Sequence, residues 1–234
     1  LLEQINWKND LSVKEHQYTF AYDGQKYLKD AVYKKKVDDV YTQVDQYSEK
    51  NLQYDRNGNI KSLLRHGETG IIDNLSYDYA GNQLMRVTDT PQVAQGFQDG
   101  NVTGNDYAYD NNGNVIRDAN KGITSIDYNI LNLPVKITFA DGAYIDYIYT
   151  ADGTRLNQTH YTADGSLITW KDYSGILEYT DDLVTSVFHS AGRVVPTDHA
   201  SGWEYQYDLT DHLGNVQVVL GTQPETTSAT ATLE

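Results

Sequence analysis

Hydrophobic and polar positions alternate with a period of two along much of the chain. Tyr18, Phe20 and Tyr22 fall on one face of an extended segment, as do Ile126, Tyr128 and Ile130, then Val135, Ile137 and Phe139. Ile145, Tyr147 and Tyr149 form a further set, and Val216, Val218 and Leu220 another. Successive side chains of a strand point to opposite faces, so the pattern predicts strands. Clusters of Asp, Asn and Gly between them predict hairpin turns. Lys26 to Lys50 is the best candidate for a helix, but its Val32, Tyr33, Val37, Val40, Tyr41 and Val44 make no clean apolar stripe. Thr90 to Gly104, with Gly96, Gly100 and Gly104, reads as a long surface loop. The expected fold is all-β: one array of antiparallel hairpins over 1–220. A Thr/Ser/Ala-rich tail follows over 221–234, either disordered or artificial in origin.

The turn clusters share a motif, an aromatic-x-Tyr-Asp stretch followed within a few residues by Gly-Asn and an apolar residue. Its clearest copies are Y-D-R-N-G-N-I (Tyr54 to Ile60), Y-A-Y-D-N-N-G-N-V (Tyr107 to Val115) and Y-D-Y-A-G-N-Q-L (Tyr77 to Leu84). Weaker copies are Y-T-F-A-Y-D-G from Tyr18, Y-I-Y-T-A-D-G-T-R-L from Tyr147 and Y-T-A-D-G-S-L from Tyr161. The longest, Y-Q-Y-D-L-T-D-H-L-G-N-V, starts at Tyr205. The turn positions are Asp55, Gly58 and Asn59; Gly81 and Asn82; Asp110, Gly113 and Asn114; Asp152 and Gly153; Asp164 and Gly165; and Asp211, Gly214 and Asn215. In D-R-N-G and D-N-N-G the Asp can open a type I turn, its carboxylate accepting backbone N–H groups, with Gly58 and Gly113 left-handed behind it. The Asp-Gly pairs 152–153 and 164–165 suit two-residue type I′ turns.

Composition sharpens this picture. There are 20 Tyr against 4 Phe and 1 Met. Tyrosine favours strands and can half-bury its ring while its hydroxyl stays wet, which suits broad semi-exposed sheet faces. The net charge of -15 excludes nonspecific nucleic-acid binding and opposes anionic membranes. No apolar run is long enough to span a bilayer as a helix. Cysteine is absent, so no disulfide or thiolate metal site exists. The start at Leu1 reads as an excerpt that can have lost a signal peptide.

Candidate chemistry is sparse. D-R-N-G-N places Gly fourth, whereas a calcium loop of the EF-hand type needs it sixth with a Glu beyond, so turn chemistry accounts for these Asp residues. The histidines, His16, His66, His160, His189, His199 and His212, form no metal-binding pair, and Asp211-His212 reads as a turn rather than an acid–base couple. No G-x-S-x-G is present. Asp38-Asp39 and Asp181-Asp182 read as solvated edges or turns rather than a glycosidase pair. Lys34 to Lys36 reads as an exposed edge. Trp7, Trp170 and Trp203 are candidates for stacking on a ligand, against the plainer reading of cross-strand pairing within a sheet. No catalytic residue, metal or cofactor is expected.

The copies at 54–60 and 107–115 resemble the YD repeat of Rhs proteins, insecticidal toxin-complex proteins and the teneurin ectodomain. D-H-L-G-N-V-Q-V-V (Asp211 to Val219) is similar to the D-H-L-G segment near the end of the Rhs-associated core, and Y-N-I-L-N-L-P (Tyr128 to Pro134) to a link between repeats. Together the resemblance covers roughly 18–219. It implies a strip of hairpins that spirals into a hollow shell, in the family often around a C-terminal toxin. It implies a non-enzymatic bacterial protein, secreted or at the cell surface. Its partners would be neighbouring repeats, further copies, an enclosed toxin or glycans. Self-cleaving members carry D-P-x-G-type motifs, whereas this chain has no Asp-Pro pair. No toxin-like segment follows Leu220. Autoproteolysis and toxicity are therefore not carried over.

Overall fold

In a computed structural model the described residues are 1–8, 15–91, 93–198, 202–211, 213–222 and 231–232. His199, His212 and most of the 221–234 tail lie outside them. The described chain is all-β and antiparallel, with eight strands in one sheet and thirteen in another. Neither strand path closes on itself among the described residues. No helix there is long and apolar enough to cross a membrane, which leaves β-barrels aside. By contact the chain divides into two compact units, 1–124 and 125–234.

The first unit holds β1 (Gln4–Trp7), β2 (His16–Tyr22), β3 (Leu28–Val37), β4 (Val40–Gln43), β5 (Glu49–Tyr54), β6 (Ile60–His66), β7 (Ile71–Ala80) and β8 (Gln83–Asp89). These pair in chain order, except that β4 folds back on β3, and β3 also pairs with β5. β9 (Tyr107–Tyr109), β10 (Val115–Asp118) and the start of β11 (Ile123–Tyr128) follow. The second unit continues with β12 (Pro134–Phe139), β13 (Tyr144–Tyr149), β14 (Arg155–Tyr161), β15 (Leu167–Ser174) and β16 (Leu177–Thr180). Then come β17 (Leu183–His189), β18 (Gly192–Asp198), β19 (Gly202–Thr210), β20 (Val216–Gly221) and β21 (Ala231–Thr232), again paired in chain order. The stretch 26–50, where a helix competed, is β3, β4 and the start of β5. Its β-branched residues favour strands, and no apolar stripe rewards helix.

Burial is slight for a chain of this length. The only apolar side chains buried among the described residues are Ala31, Tyr33, Leu52, Leu75 and Val87, all in the first unit. Fully enclosed side chains are instead polar: Ser48, Asp73 and Asp106.

Those aspartates explain the stretch 93–106, which is more than a surface loop. It lies along the outer edge of β8 and supplies the partners a further strand would have given. The Asp106 N–H donates to the Met85 carbonyl at 2.8 Å. The Asp106 carboxylate accepts the Val87 N–H at 2.7 Å, and the Asp99 carboxylate accepts the Asp89 N–H at 3.3 Å. The Arg86 guanidinium donates to the Val102 carbonyl at 2.8 Å. Asp73, on β7, holds Arg65 on one oxygen and the Phe97 N–H on the other. Gly96 presses so close to β7 that a Cβ there would meet the Ile72 carbonyl at 2.0 Å. An unpaired strand edge is thus covered and its N–H groups satisfied.

Candidate functional site

One turn recurs through both units. Residue i opens it and donates its N–H to the carbonyl of i+4, and the N–H of i+3 donates to the carbonyl of i. Eight turns among the described residues share this frame, opened by Asp23, Asp55, Asp110, Asn129, Phe139, Thr150, Thr162 and Asp211. Residue i+3 has positive φ in every one: Gly58 and Gly113 at 87°, with Gly142, Gly153, Gly165 and Gly214 close to that value, Lys26 at 72° and Asn132 at 58°. This is a type I turn closed by a left-handed residue.

In the Asp-opened copies the carboxylate organises the loop. One oxygen of Asp55 accepts the N–H groups of Asn57 and Asn59 at 2.8 and 2.9 Å, and the other accepts the Asn59 side-chain amide at 2.9 Å. Asn114 clamps Asp110 at 2.8 Å and Asn215 clamps Asp211 at 3.0 Å in the same way. The Asn after each Gly is therefore a side-chain clasp. These bonds, from the Asn amide above all, hold Asp55, Asp110 and Asp211 below the ordinary carboxylate range. Their oxygens already accept N–H donors. No cluster of three acidic or histidine side chains able to hold a metal occurs among the described residues.

Two sequence readings need correction, one of a pair of turns and one of a strand face. The Asp-Gly pairs 152–153 and 164–165 are not two-residue loops: they occupy the third and fourth places of the common frame. Thr150 and Thr162 open it, their hydroxyls accepting the Thr154 and Ser166 N–H groups at 2.9 and 3.1 Å. Each hydroxyl also donates to the carboxylate of Asp152 or Asp164, which is held below its ordinary range chiefly by that bond.

Gly81-Asn82 is a two-residue loop between paired Ala80 and Gln83. Gly81 alone has positive φ, 64°, as a type II′ turn requires. Asn82 then ties this loop to the neighbouring one, accepting the Asn57 and Asn59 amides at 2.9 and 3.2 Å. In the copy from Tyr18 the left-handed residue is Lys26. Secondly, Ile130 leaves the strand face it was assigned to. It sits at the tip of the turn opened by Asn129 and is 99% exposed. The two-residue type I′ loops are the acidic pairs: Asp38-Asp39 joins β3 to β4 and Asp181-Asp182 joins β16 to β17, all four with positive φ. Asp tolerates that conformation better than most residues.

The tyrosine before the opener has its own task. In four copies its hydroxyl donates to a main-chain carbonyl, which in three of them lies just past an earlier turn. Tyr54 reaches Leu28 at 2.9 Å, Tyr109 reaches Leu84 at 2.7 Å, Tyr149 reaches Pro134 at 3.0 Å and Tyr22 reaches Leu2 at 2.8 Å. Burial pushes the Tyr54, Tyr109 and Tyr149 hydroxyls up from their ordinary pKa. Tyr54 and Tyr149 thereby stitch successive loops of one sheet, and Tyr109 ties the start of the thirteen-stranded sheet to β8. No sequence pattern marks its acceptor, because any carbonyl serves.

Trp170 and Trp203 do not form one site. Trp7, on β1, is stacked against His16 and Tyr18 at 5.4 and 5.5 Å. In the second unit Trp170 on β15 and Trp203 on β19 are four strands apart, roughly 19 Å at about 4.8 Å per strand. Trp203 instead begins a row on one face of β19 with Tyr205 and Tyr207, which are 49%, 51% and 41% exposed. In the first unit an open cleft went unforeseen. Its smaller pocket, about 250 Å³, is lined by Tyr18, Phe20, Ala31, Tyr47 and Glu49. A second, about 450 Å³, shares Tyr47 and Glu49 and extends over Arg65, His66 and Glu68. The alternation of Tyr18 and Phe20 signals a shared face, but the arrival of Tyr47 from a loop has no sequence signature.

No family model matches the sequence, and no curated protein matches it. The solved structures it is similar to include Tc toxin complexes. A TcdB2-TccC3 crystal structure is 12% identical over 89% of this chain, with a TM-score of 0.40. The Photorhabdus luminescens Tc holotoxin pore is 11% identical over 93%, with a TM-score of 0.33. A porin-like protein from Bacteroides uniformis is 9% identical over 98%, with a TM-score of 0.27. The chain spans only 15% and 17% of the two Tc toxin chains, against 92% of the porin-like one.

Proposed function

We propose that this chain is a non-enzymatic segment of a bacterial YD-repeat (Rhs-type) shell or surface protein, secreted or displayed outside the cell, whose repeats build wall. The observation that carries the reading is the stitched turn. Tyrosine tethers it, aspartate opens it, glycine reverses the chain and asparagine clasps the carboxylate, so each letter of Y-D-x-x-G-N has a mechanical task. In the full-length protein such a wall would enclose or present a C-terminal toxin. Electron microscopy of that protein tests it. Hollow particles with this segment in the wall are expected, and a segment standing outside any shell rejects the proposal. Hydrolytic turnover by the purified chain, lost with a single carboxylate, would reject the non-enzymatic part.

The row Trp203, Tyr205 and Tyr207 favours a second reading, a carbohydrate- or partner-binding module. Exposed rings two residues apart on one strand form a platform on which sugar rings can stack. Glycan-array binding that disappears in Trp203→Ala would establish it, and an array without signal would remove it.

A further inference from the structure

We propose that the smaller pocket of the first unit binds an alkylammonium group, with Tyr18, Phe20 and Tyr47 as aromatic walls and Glu49 as the counter-charge. Aromatic faces attract cations through the ring quadrupole, and quaternary ammonium groups most often sit in boxes of several rings. A carboxylate beside the box supplies the formal charge. Among the described residues no side-chain hydrogen bond or ion pair engages Glu49. Its cross-strand neighbour is Arg65, but that guanidinium is committed to the enclosed Asp73 at 2.5 Å.

The box is built before any ligand arrives. The Tyr18 hydroxyl donates to the Tyr47 carbonyl at 2.6 Å, and the Tyr18 and Phe20 rings stack at 6.2 Å. The Tyr47 ring meets the buried Tyr33 edge-on at 5.6 Å. The loop carrying Tyr47 is clamped on both sides. Ser48, enclosed, accepts the Tyr33 N–H at 3.0 Å, and the Ser48 carbonyl accepts the His66 N–H at 2.9 Å. Gln46 donates to the Glu68 carbonyl at 2.8 Å. Tyr47 itself has a φ of 54°, a region that few bulky residues adopt. Glu49 lines the same pocket as the Tyr18 ring, and burial above all, with the Glu49 charge, raises the Tyr18 hydroxyl's pKa. The cluster already accepts one cation: the Lys35 ammonium lies 5.9 Å from the Tyr33 ring centroid. The chain's net charge of -15 draws further cations toward it.

The same chemistry is offered by a free quaternary amine and by a methylated or plain lysine side chain on another protein. The test is a calorimetric titration of the purified chain with tetramethylammonium chloride at constant ionic strength, beside its neutral isostere neopentane-like alcohol, 2,2-dimethylpropanol. Saturable one-site binding of the cation is expected, with none for the alcohol. Glu49→Gln and Tyr47→Gly, the latter keeping the left-handed backbone accessible, should each weaken binding about tenfold. Choline binding more tightly than an N-acetyl-trimethyllysine amide would point to a free amine, and the reverse to a protein side chain. Equal binding of the alcohol overturns the proposal. So does undiminished binding in Glu49→Gln with a wild-type far-UV spectrum, or saturable binding of neutral sugars without any of the cation. Should both variants fail to fold, the contrast between cation and alcohol on the wild-type chain decides.

Discussion

Gly58 and Gly113 hold equivalent places in the turn frame with the same φ of 87°, yet their surroundings differ. A Cβ on Gly113 meets open space, whereas one on Gly58 meets the Tyr27 hydroxyl at 2.9 Å. Gly113→Ala should cost about 1–2 kcal/mol in urea unfolding, the penalty of the left-handed conformation alone. Gly58→Ala should cost more, because Tyr27 must also move. Tyr54→Phe and Tyr109→Phe each remove one bond to a main-chain carbonyl and should cost about 0.5–1.5 kcal/mol. The opener aspartates give the turns a pH dependence of definite sign. Asp55, Asp110 and Asp211 titrate below their ordinary value when folded, so they stabilise the fold fully above about pH 4. That contribution is lost as pH falls through the lowered folded values. The urea midpoint should therefore drop on acidification, and less so in a triple Asp→Asn variant, whose amide oxygens still accept the turn N–H groups. Much at this scale was legible in sequence. Asp, Asn and Gly declare a turn because their local bonding is short-range. What stayed hidden was the frame's register at 150–154 and 162–166. There a threonine hydroxyl replaces the carboxylate, and Asp-Gly by itself suggests a tighter loop.

Strands were legible where alternation was strict and illegible where the partner was not a strand. Nothing in the spacing of Asp99 and Asp106 announces that their carboxylates stand in for a neighbour of β8. That role depends on where a long loop lands. Asp106→Ala would strand the buried Val87 N–H and should cost about 1–3 kcal/mol. Amide exchange at Val87 should accelerate before that of β7, and an unchanged rate would mean the loop is no cover at all. The aromatic cleft was hidden for the same reason: β2 gives two of its rings, and a clamped loop gives the third.

At the scale of the whole molecule the balance is unusual: many strands, many exposed apolar side chains and, among the described residues, only five buried apolar ones. Leu183, Ile168, Ile176 and Leu209 are among the large side chains left exposed in the second unit. Exposed apolar side chains seek cover, and open edges seek strands. The net charge of -15 opposes both until salt screens it, over about 10 Å at 0.1 M. The chain should therefore self-associate increasingly as salt rises, as sedimentation across a salt series would read. A monomer at every salt concentration would mean that these side chains and edges satisfy themselves. Nearly every strand, finally, pairs with the one made just before it. A ribosome releasing this chain would expose each new segment beside a finished template, one short loop away. Growth by such addition needs no distant search, so assembly can keep pace with synthesis, and an interrupted chain is already a shorter version of the complete one.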